Sequence, residues 1–378
     1  MSRLFVCGDI CNSMSEMKKG FISDELVEVI KSVDYSVCNL EGIEVDHNTT
    51  HVDYPHQQFG TVSALKSCGF NMCLLANNHI TDGGPDRLNY TIDAIDNVRL
   101  DYIGAGFTEK QVYAARIKQI GNYKFGIINL CEAQEGQFSN STCKYGYAWI
   151  GHFSIAKTIS ELRTKVDFIL CFCHYGLEHY EVPLDCVRQY YYLLIDQGVD
   201  CIVGTHPHIA QGYEYYNDKL IVYSLGNFFF PRRTGRYDDE NHSYSVVLEF
   251  EKGRKVQITP IFHKLEEGAV CTDNSGRIDL KALNLLLSNN YKYNEEETIR
   301  KAFDGVVGNL FYNSMCSMSD QRRSPKERLK DIFRYTMFRS KYINSTAKIR
   351  ASIISRLFKN EIYLSLIHIS EPTRQEAI

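Results

Sequence analysis

Two histidines separated by one residue, His206 and His208, follow the apolar run VDCIVG in the stretch VGTHPHIAQG (Val203–Gly212). Side chains at positions i and i+2 of an extended segment point to the same side, so both imidazoles are expected to face one site. Imidazole nitrogens are common ligands of divalent transition metals. The pair therefore raises the hypothesis of a metal site just beyond a strand.

Four other predicted strands also end in nitrogen or oxygen ligands. They end at Asp9, at Glu41, at Asn78 with His79, and at His174. Taken singly, Asp9 could cap a turn, Asn78 could bind local backbone, and His174 could be a hydrogen-bonded core histidine. In open α/β sheets, however, ligands bind beyond the carboxyl ends of the strands. Five strand ends with donors suited to a divalent cation therefore favour a shared metal site.

The elements that must position these residues alternate along the chain. Short apolar runs such as RLFVCGD, YSVCNLEG, NMCLLANNH and KVDFILCFCHYG predict strands, and ISDELVEVIKSV, RLNYTIDAIDNV and LDCVRQYYYLLIDQG predict helices between them. ARIKQIGNYKFGIINL and SYSVVLEFEKGRKVQITPIF predict hairpins, which turn at Gly121 with Asn122 and at Gly253. This alternation indicates an α/β protein with added antiparallel hairpins.

The composition favours a large folded core in a reducing compartment. Of the 378 residues, 44% are hydrophobic and 12% are aromatic. Several of the 13 cysteines lie within apolar runs, as expected for buried thiols: Cys7, Cys38, Cys73, Cys171, Cys173 and Cys201. Neither a signal-peptide pattern nor an apolar stretch long enough to span a bilayer is present, so we expect a cytoplasmic protein.

The C-terminal part differs from the rest of the chain in charge. Residues 321–359 carry twelve Lys or Arg against two acidic residues, whereas the full chain has a net charge of -4. This basic amphipathic stretch predicts either peripheral contact with an anionic membrane or a helical pair docked on the acidic body, and nothing indicates nucleic-acid binding. We predict an α/β domain at 1–270 and a helical, basic extension at 275–363, and we interpret 364–378 (LSLIHISEPTRQEAI) as non-native read-through sequence.

Six motifs occur in order along the chain: GDI (Gly8–Ile10), NLEG (Asn39–Gly42), ANNHITDGG (Ala76–Gly84), HYGLEHYEVP (His174–Pro183), GTHPHIAQG (Gly204–Gly212) and YSLGNFFF (Tyr223–Phe230). Over about residues 3–265 they resemble the poly-gamma-glutamate capsule synthesis protein family, the CapA family. Members of this family look like variants of the calcineurin-like metallophosphatase fold. The resemblance implies a metallophosphatase-like β-sandwich flanked by helices in four layers, α/β/β/α, followed here by a helical C-terminal extension.

The resemblance also implies a role for each strand-end residue in two-metal hydrolysis. Glu41 would bridge the cations, with Asn78, His174 and His206 completing one set of ligands and Asp9 and His208 completing the other. His79 would donate a proton to the leaving group, and Asp82 would orient it. The cofactor is then one or two divalent ions, and the mixed donors suit manganese, iron or zinc.

Two motifs depart from the family pattern. The first motif of metallophosphatases is Asp-x-His, but here Cys11 stands at the histidine position. We interpret Cys11 as non-ligating because cysteine is common as a small buried hydrophobe. The alternatives are a thiolate ligand that favours zinc, a weakly held first metal, or a single metal. In the fourth motif Tyr175 and His179 replace the usual Trp and second aromatic, whereas Glu178 and Pro183 match.

Five polar side chains are expected to bind the substrate: Asn39, Asn77, Glu178, Asn227 and Arg232. Arg232 or Arg233 would pair with an anionic group, although both arginines could also belong to a solvated loop. The family association implies an anionic polymer or a phosphoester as the substrate and a capsule synthesis complex as the partner.

The sequence leaves three functional hypotheses open. The leading one is a CapA-family, metal-dependent hydrolase that acts in the synthesis or processing of a capsule or exopolymer of the poly-gamma-glutamate type. The second is a non-catalytic accessory protein or scaffold of a capsule synthesis or export complex, with a structural metal or none. The third is a general metallophosphodiesterase.

Overall fold

The computed structural model describes five stretches of the chain, namely residues 1–13, 20–49, 52–231, 238–288 and 290–302. Arg232 and Arg233 lie outside these residues, and so do the basic stretch 321–359 and residues 364–378. The roles predicted for them stay predictions.

The described residues contain eighteen strands and eight α-helices. The strands are β1 (Ser2–Ile10), β2 (Tyr35–Leu40), β3 (Ile43–Glu44), β4 (His56–Gln57), β5 (Met72–Leu74), β6 (Asp101–Ile103), β7 (Ala105–Gly106), β8 (Arg116–Ile120), β9 (Tyr123–Cys131), β10 (Gly146–Tyr147), β11 (Phe168–His174), β12 (Cys201–Thr205), β13 (Tyr213–Tyr216), β14 (Lys219–Val222), β15 (Asn227–Phe229), β16 (His242–Phe250), β17 (Gln257–Glu266) and β18 (Ala269–Thr272). The helices are α1 (Asp24–Lys31), α2 (Thr61–Cys68), α3 (Gly84–Asn97), α4 (Glu109–Val112), α5 (Ser154–Arg163), α6 (Asp185–Asp196), α7 (Leu280–Leu286) and α8 (Tyr291–Ala302), and a 3-10 helix covers Asp238–Asn241.

The strands form two large sheets. The first has eight strands, in the order β18-β17-β16-β1-β2-β5-β6, with β15 also paired to β1. Its strands β1, β2, β5 and β6 are parallel, whereas β16, β17 and β18 are antiparallel. The second has six strands, in the order β13-β14-β12-β11-β9-β8, and is parallel from β9 to β14. The predicted hairpins are confirmed as the antiparallel pairs β8–β9 and β16–β17.

The hydrophobic core lies between the two sheets. Val6 and Leu74 of the first sheet share this core with Ile127, Leu170 and Val203 of the second. Strand β11 is buried along its whole length, as expected of a parallel strand covered on both faces, and α5 packs against it. Helix α3 packs against the first sheet at β6. The predicted α/β architecture, two central sheets flanked by helices, is confirmed.

Two glycines allow close backbone contacts beside the strand ends. A Cβ atom on Gly8 would lie 1.8 Å from the carbonyl oxygen of Gly226, which accepts a hydrogen bond from the Asp9 backbone N–H at 3.1 Å. A Cβ atom on Gly204 would lie 2.0 Å from the carbonyl oxygen of Tyr223. Because real Cβ atoms do not approach this closely, only glycine at these positions lets β1 and β12 pack against the segment before β15.

The described strands and α1 to α7 belong to one compact unit, Met1–Glu295. The boundaries predicted at residues 270 and 275 stay predictions. Among the described helices, none combines the length and the apolar character that a membrane crossing requires.

Candidate metal centre

The structure brings the predicted strand-end residues to the adjoining carboxyl ends of both sheets. In chain order these are Asp9 within β1, Glu41 directly after β2, Asn78 and His79 in the segment after β5, His174 as the last residue of β11, and His206 and His208 after β12. All of these side chains except His79 are buried. The strand-end pattern thus corresponds to one spatial cluster with contributions from both sheets.

The centre of the cluster consists of two carboxylates and one imidazole. Asp9, Glu41 and His174 each offer a ligand atom, and these atoms lie within 4.8 Å of one another. Burial raises the pKa of Asp9 to about 6, against the hydrogen bonds from Asn39 and the His206 backbone N–H. Burial also holds the pKa of His174 well below its usual value, and the neighbouring histidines lower it further. A neutral His174 keeps a nitrogen lone pair available for a cation.

The backbone at the two paired histidines differs from the extended segment predicted from the sequence. Strand β12 ends at Thr205, and the φ angles of His206 and His208 are 97° and 62°. Non-glycine residues with positive φ cost about 1–3 kcal/mol each and cluster at functional sites. The prediction of an extended conformation was wrong because a turn begins as soon as the strand leaves the sheet. The rings still approach each other, with centroids 6.1 Å apart.

The two histidines contact different parts of the cluster. His206 Nδ1 lies 3.0 Å from His174 Nε2, which in turn lies 3.0 Å from Asn78 Oδ1. His208 lies instead near the carboxylates, with Nδ1 3.8 Å from Asp9 Oδ2 and Nε2 4.0 Å from Glu41 Oε1. This division is compatible with one histidine for each of two cations, which stays a prediction.

His79 and Asp82 form a dyad at the rim of the cluster. His79 Nδ1 lies 2.7 Å from Asp82 Oδ2, and His79 Nε2 lies 3.9 Å from Glu41 Oε1. Both side chains are 27% exposed, so a ligand in solution can reach the imidazole. The acid role predicted for His79 has the geometry that it requires.

Cys11 is fully buried, and its thiol makes a contact away from the carboxylates. Its Sγ atom lies 3.5 Å from the carbonyl oxygen of His56, to which it donates. Within the described stretches, the ligand cluster of Asp9, Glu41 and His174 does not include Cys11. This contact favours the non-ligating interpretation.

Three asparagines predicted to bind substrate have partners within the protein. Asn39 Nδ2 donates to Asp9 Oδ1 at 2.7 Å and lies 3.3 Å from His174 Nδ1. Asn77 is fully buried; its Nδ2 donates to the Leu40 carbonyl at 2.8 Å, and its Oδ1 accepts from Gly42 N–H at 3.2 Å, which braces the segment at Glu41. Asn227 Oδ1 lies 2.9 Å from His208 Nδ1.

Glu178 and His179 line the edge near the paired histidines. Glu178 Oε1 lies 3.9 Å from His206 Nε2. The His179 ring stacks on His208 at a centroid distance of 5.9 Å, so it supplies a planar ring where the family pattern has an aromatic residue. His179 Nδ1 lies 2.9 Å from the buried carboxylate of Glu240, in the 3-10 helix. The sequence offered no signal for Glu240, since it follows neither a strand nor a motif.

Glu132 was missed, although a strand-end signal was present. It follows β9 in the run NLCEAQ, is fully buried, and places Oε1 3.5 Å from His206 Nε2. The run was interpreted only as half of a hairpin, but β9 is also parallel to β11 and ends at the same edge. Burial disfavours the charged form of His206, but Glu132, with Glu178 and Glu41, outweighs burial and raises the pKa of His206 to about 9.

The donor set fits a divalent cation. Asp9 and Glu41 are fully buried carboxylates, and buried charges are normally paired or bound to metals. The buried Asn39 Oδ1, beside this pair, has no hydrogen-bond partner among the described residues. Carboxylate, amide and imidazole donors together suit zinc, manganese or iron, and they do not identify one of these metals.

The fold and the cluster define a class: a two-sheet α/β protein with a carboxylate–histidine centre, able to hold a metal ion, at the carboxyl ends of its parallel strands. Residues 3–232 match the bacterial capsule synthesis protein family PGA_cap. The chain therefore belongs to this family, and the predicted resemblance is confirmed.

Named relatives agree with the family. The chain is 31% identical over 183 residues to the capsule biosynthesis protein CapA of Bacillus anthracis, covering 47% of this chain and 44% of that protein. It is 27% identical over 241 residues to the PGA biosynthesis protein CapA of Bacillus subtilis (strain 168), covering 62% of each. The chain thus spans less than two thirds of either relative. A solved structure, the 5'-nucleotidase precursor from Thermus thermophilus, aligns with a TM-score of 0.45 at 15% identity over 77% of this chain and 59% of that one, too weakly to carry an argument.

Proposed function

We propose that the protein is a metal-dependent hydrolase that acts in the synthesis or processing of a capsule or exopolymer of the poly-gamma-glutamate type. The observation that supports this most is the buried cluster of Asp9, Glu41 and His174, whose ligand atoms lie within 4.8 Å of one another. The family membership supports the capsule context. The proposed substrate is an anionic polymer or a phosphoester, and the proposed partner is a capsule synthesis complex.

Six side chains would hold one or two divalent cations: Asp9, Glu41, Asn78, His174, His206 and His208. The chemistry that such cations supply is polarisation of the bond to be cleaved and a lower pKa for a nearby water. Asn39 would keep the Asp9 carboxylate in position through its 2.7 Å hydrogen bond.

Proton transfer would be the task of His79. Its Nδ1 is held by Asp82, which leaves Nε2 on the side of Glu41 to give a proton to the leaving group. The partial exposure of His79 lets a polymer or phosphoester approach from solvent. Glu178 and Asn227 lie on the other side of the centre, next to His206 and His208, and would contact the substrate there.

One observation favours the non-catalytic alternative. Cys11 stands where the metallophosphatase pattern has a histidine ligand, and its thiol contacts the His56 carbonyl. Without that ligand, the cation near His208 would be held by fewer donors, and a single structural metal would be the outcome. An accessory role in a capsule synthesis complex is then the second candidate.

The test combines metal analysis with hydrolysis assays. Purified wild type, His206→Ala and, as a matched control, the exposed His47→Ala are analysed for bound metal and assayed on a phosphodiester and on gamma-glutamyl amides. We expect metal in the wild type and the control, turnover of one substrate class, and loss of turnover in His206→Ala. Absence of metal together with unchanged behaviour of His206→Ala would sink the catalytic proposal. Bound metal without turnover of either class supports the accessory role, and turnover of simple phosphodiesters alone supports a general phosphodiesterase.

The cytoplasmic location is also a proposal. It is supported by reduced, buried cysteines such as Cys7, Cys38 and Cys173. Peripheral membrane contact through the basic stretch 321–359 is proposed from the sequence alone.

A further inference from the structure

The short segment after β9 contacts two of the proposed ligands. Glu132 and Gln134 leave the end of β9 at the edge where the cluster lies. Gln134 Nε2 donates to Glu132 Oε1 at 2.7 Å, and the Gly176 backbone N–H donates to Glu132 Oε2 at 3.3 Å. Glu132 is fully buried, so these two donors fix its carboxylate. The segment is therefore a rigid support beside the cluster.

Gln134 determines which atom of Asn78 is available. Its Nε2 is used by Glu132, so its Oε1 is the group that faces Asn78, and it accepts from Asn78 Nδ2 at 3.3 Å. This contact turns Asn78 Oδ1 in the opposite direction, where it lies 3.0 Å from His174 Nε2. An amide can bind a cation only through its oxygen, so the amide orientation decides whether Asn78 is a ligand.

Glu132 determines in the same way which nitrogen of His206 is available. Its Oε1 lies 3.5 Å from His206 Nε2, and Glu178 Oε1 lies on the same side at 3.9 Å. A carboxylate accepts hydrogen bonds, so the N–H of the neutral ring belongs on Nε2. The lone pair is then on Nδ1, which lies 3.0 Å from His174 Nε2. Both supports thus direct a lone pair towards His174.

We propose that Glu132 and Gln134 are positioning residues that select the ligand atoms of the centre, Nδ1 for His206 and Oδ1 for Asn78. This inference rests on the proposed function, because it presupposes that the cluster binds a cation. Carboxylates that hold a ligating histidine typically contribute a factor of about 10–100 to metal affinity. Glu132 is expected to contribute within this range, and Gln134 acts through it.

The test uses cadmium as the probe metal and reads the ligand atom directly. Protein with ¹⁵N-labelled histidine is loaded with ¹¹³Cd²⁺, and the His206 signals are assigned with His206→Gln. We expect one-bond ¹¹³Cd–¹⁵N coupling at Nδ1 of His206 and a retained proton at Nε2. Coupling at Nε2 would overturn the inference.

Affinities for Cd²⁺ and Zn²⁺, from competition with a chelating dye, provide the second readout. Glu132→Gln and Gln134→Ala should each bind about 10–100-fold more weakly than wild type. The matched control is Glu135→Gln, which removes an exposed carboxylate from the same segment and should leave affinity within about twofold. Circular dichroism and thermal unfolding of Glu132→Gln exclude misfolding, because its amide retains the size of the carboxylate.

The outcomes separate this inference from the proposed function. Wild-type affinity in both Glu132→Gln and Gln134→Ala contradicts the inference alone, since the cluster would still bind metal. Failure of the wild-type protein to bind Cd²⁺ or Zn²⁺ overturns the proposed function and, with it, the inference.

Discussion

Replacing Asn39 by leucine tests whether this side chain holds the metal centre together or contacts the substrate. The side chain donates from Nδ2 to Asp9 Oδ1 at 2.7 Å and lies 3.3 Å from His174 Nδ1. A hydrogen bond to a charged group contributes about 1.5–3 kcal/mol, and each 1.4 kcal/mol is about a factor of ten in an equilibrium constant. Asn39→Leu keeps a similar volume but loses this bond. Its affinity for Zn²⁺ or Mn²⁺ should therefore fall by about 10–100-fold.

The assay measures metal affinity and substrate kinetics on the same preparations. Titration with a competing chelator gives the affinity, and steady-state hydrolysis at saturating metal gives KM and kcat. Asn71→Ala is the matched control, because Asn71 Oδ1 accepts from the Ser36 N–H at 2.7 Å at the start of β2, away from the cluster. The control should lose about 1 kcal/mol of stability and keep its metal affinity. If Asn39→Leu instead raised KM at unchanged metal affinity, the bracing role would be refuted and substrate contact supported.

Three further predictions concern stability. Arg188→Met should lower the free energy of unfolding in guanidinium by about 3 kcal/mol, because it leaves the largely buried Glu214 carboxylate, now 2.9 Å from the guanidinium, without its cation; a loss below about 1 kcal/mol would contradict this. Burial lowers the pKa of His263 to about 3 against the opposing charge of Asp273, so the folded state binds this proton less well than the unfolded chain. The resulting stability is complete above about pH 6.5 and decreases as the pH falls, by about 2 kcal/mol at pH 5. Urea denaturation should show that His263→Gln loses less than wild type over this range, and equal pH dependence would contradict the assignment. Gly8→Ala should reduce the melting temperature strongly, since its Cβ would lie 1.8 Å from a backbone oxygen; a wild-type melting temperature would show that the strands can separate there without cost.

The sequence predicted the location of the site because the strand ends obey a simple geometric rule. Parallel strands end at a common edge, so donors after β1, β2, β5, β11 and β12 come together whatever the details of the loops. Asp9, Glu41 and His174 lie at or directly after a strand, where the sheet fixes the backbone. These residues could therefore be assigned to one cluster from the order of apolar runs and polar ends.

The remaining features depend on tertiary contacts that leave no local pattern. The positive φ angles of His206 and His208 arise where the chain leaves β12, and an alternation rule assumes extended backbone there. Glu132 was hidden because β9 is at once half of a hairpin and a parallel neighbour of β11. Glu240 reaches the site from a 3-10 helix, and no periodicity marks such a contact. The bracing hydrogen bond of Asn39 to Asp9 likewise joins residues 30 positions apart in the chain.

The most direct test of the account is the position of the metal in crystals of the protein grown with Zn²⁺ or Mn²⁺. Anomalous diffraction should show a peak in contact with Asp9, Glu41 and His174, at about 2.0–2.2 Å from their oxygen and nitrogen ligands. A second peak beside His208 would indicate two cations, and its absence would indicate one. Metal bound elsewhere on the protein, with no anomalous density between Asp9, Glu41 and His174, would contradict the account.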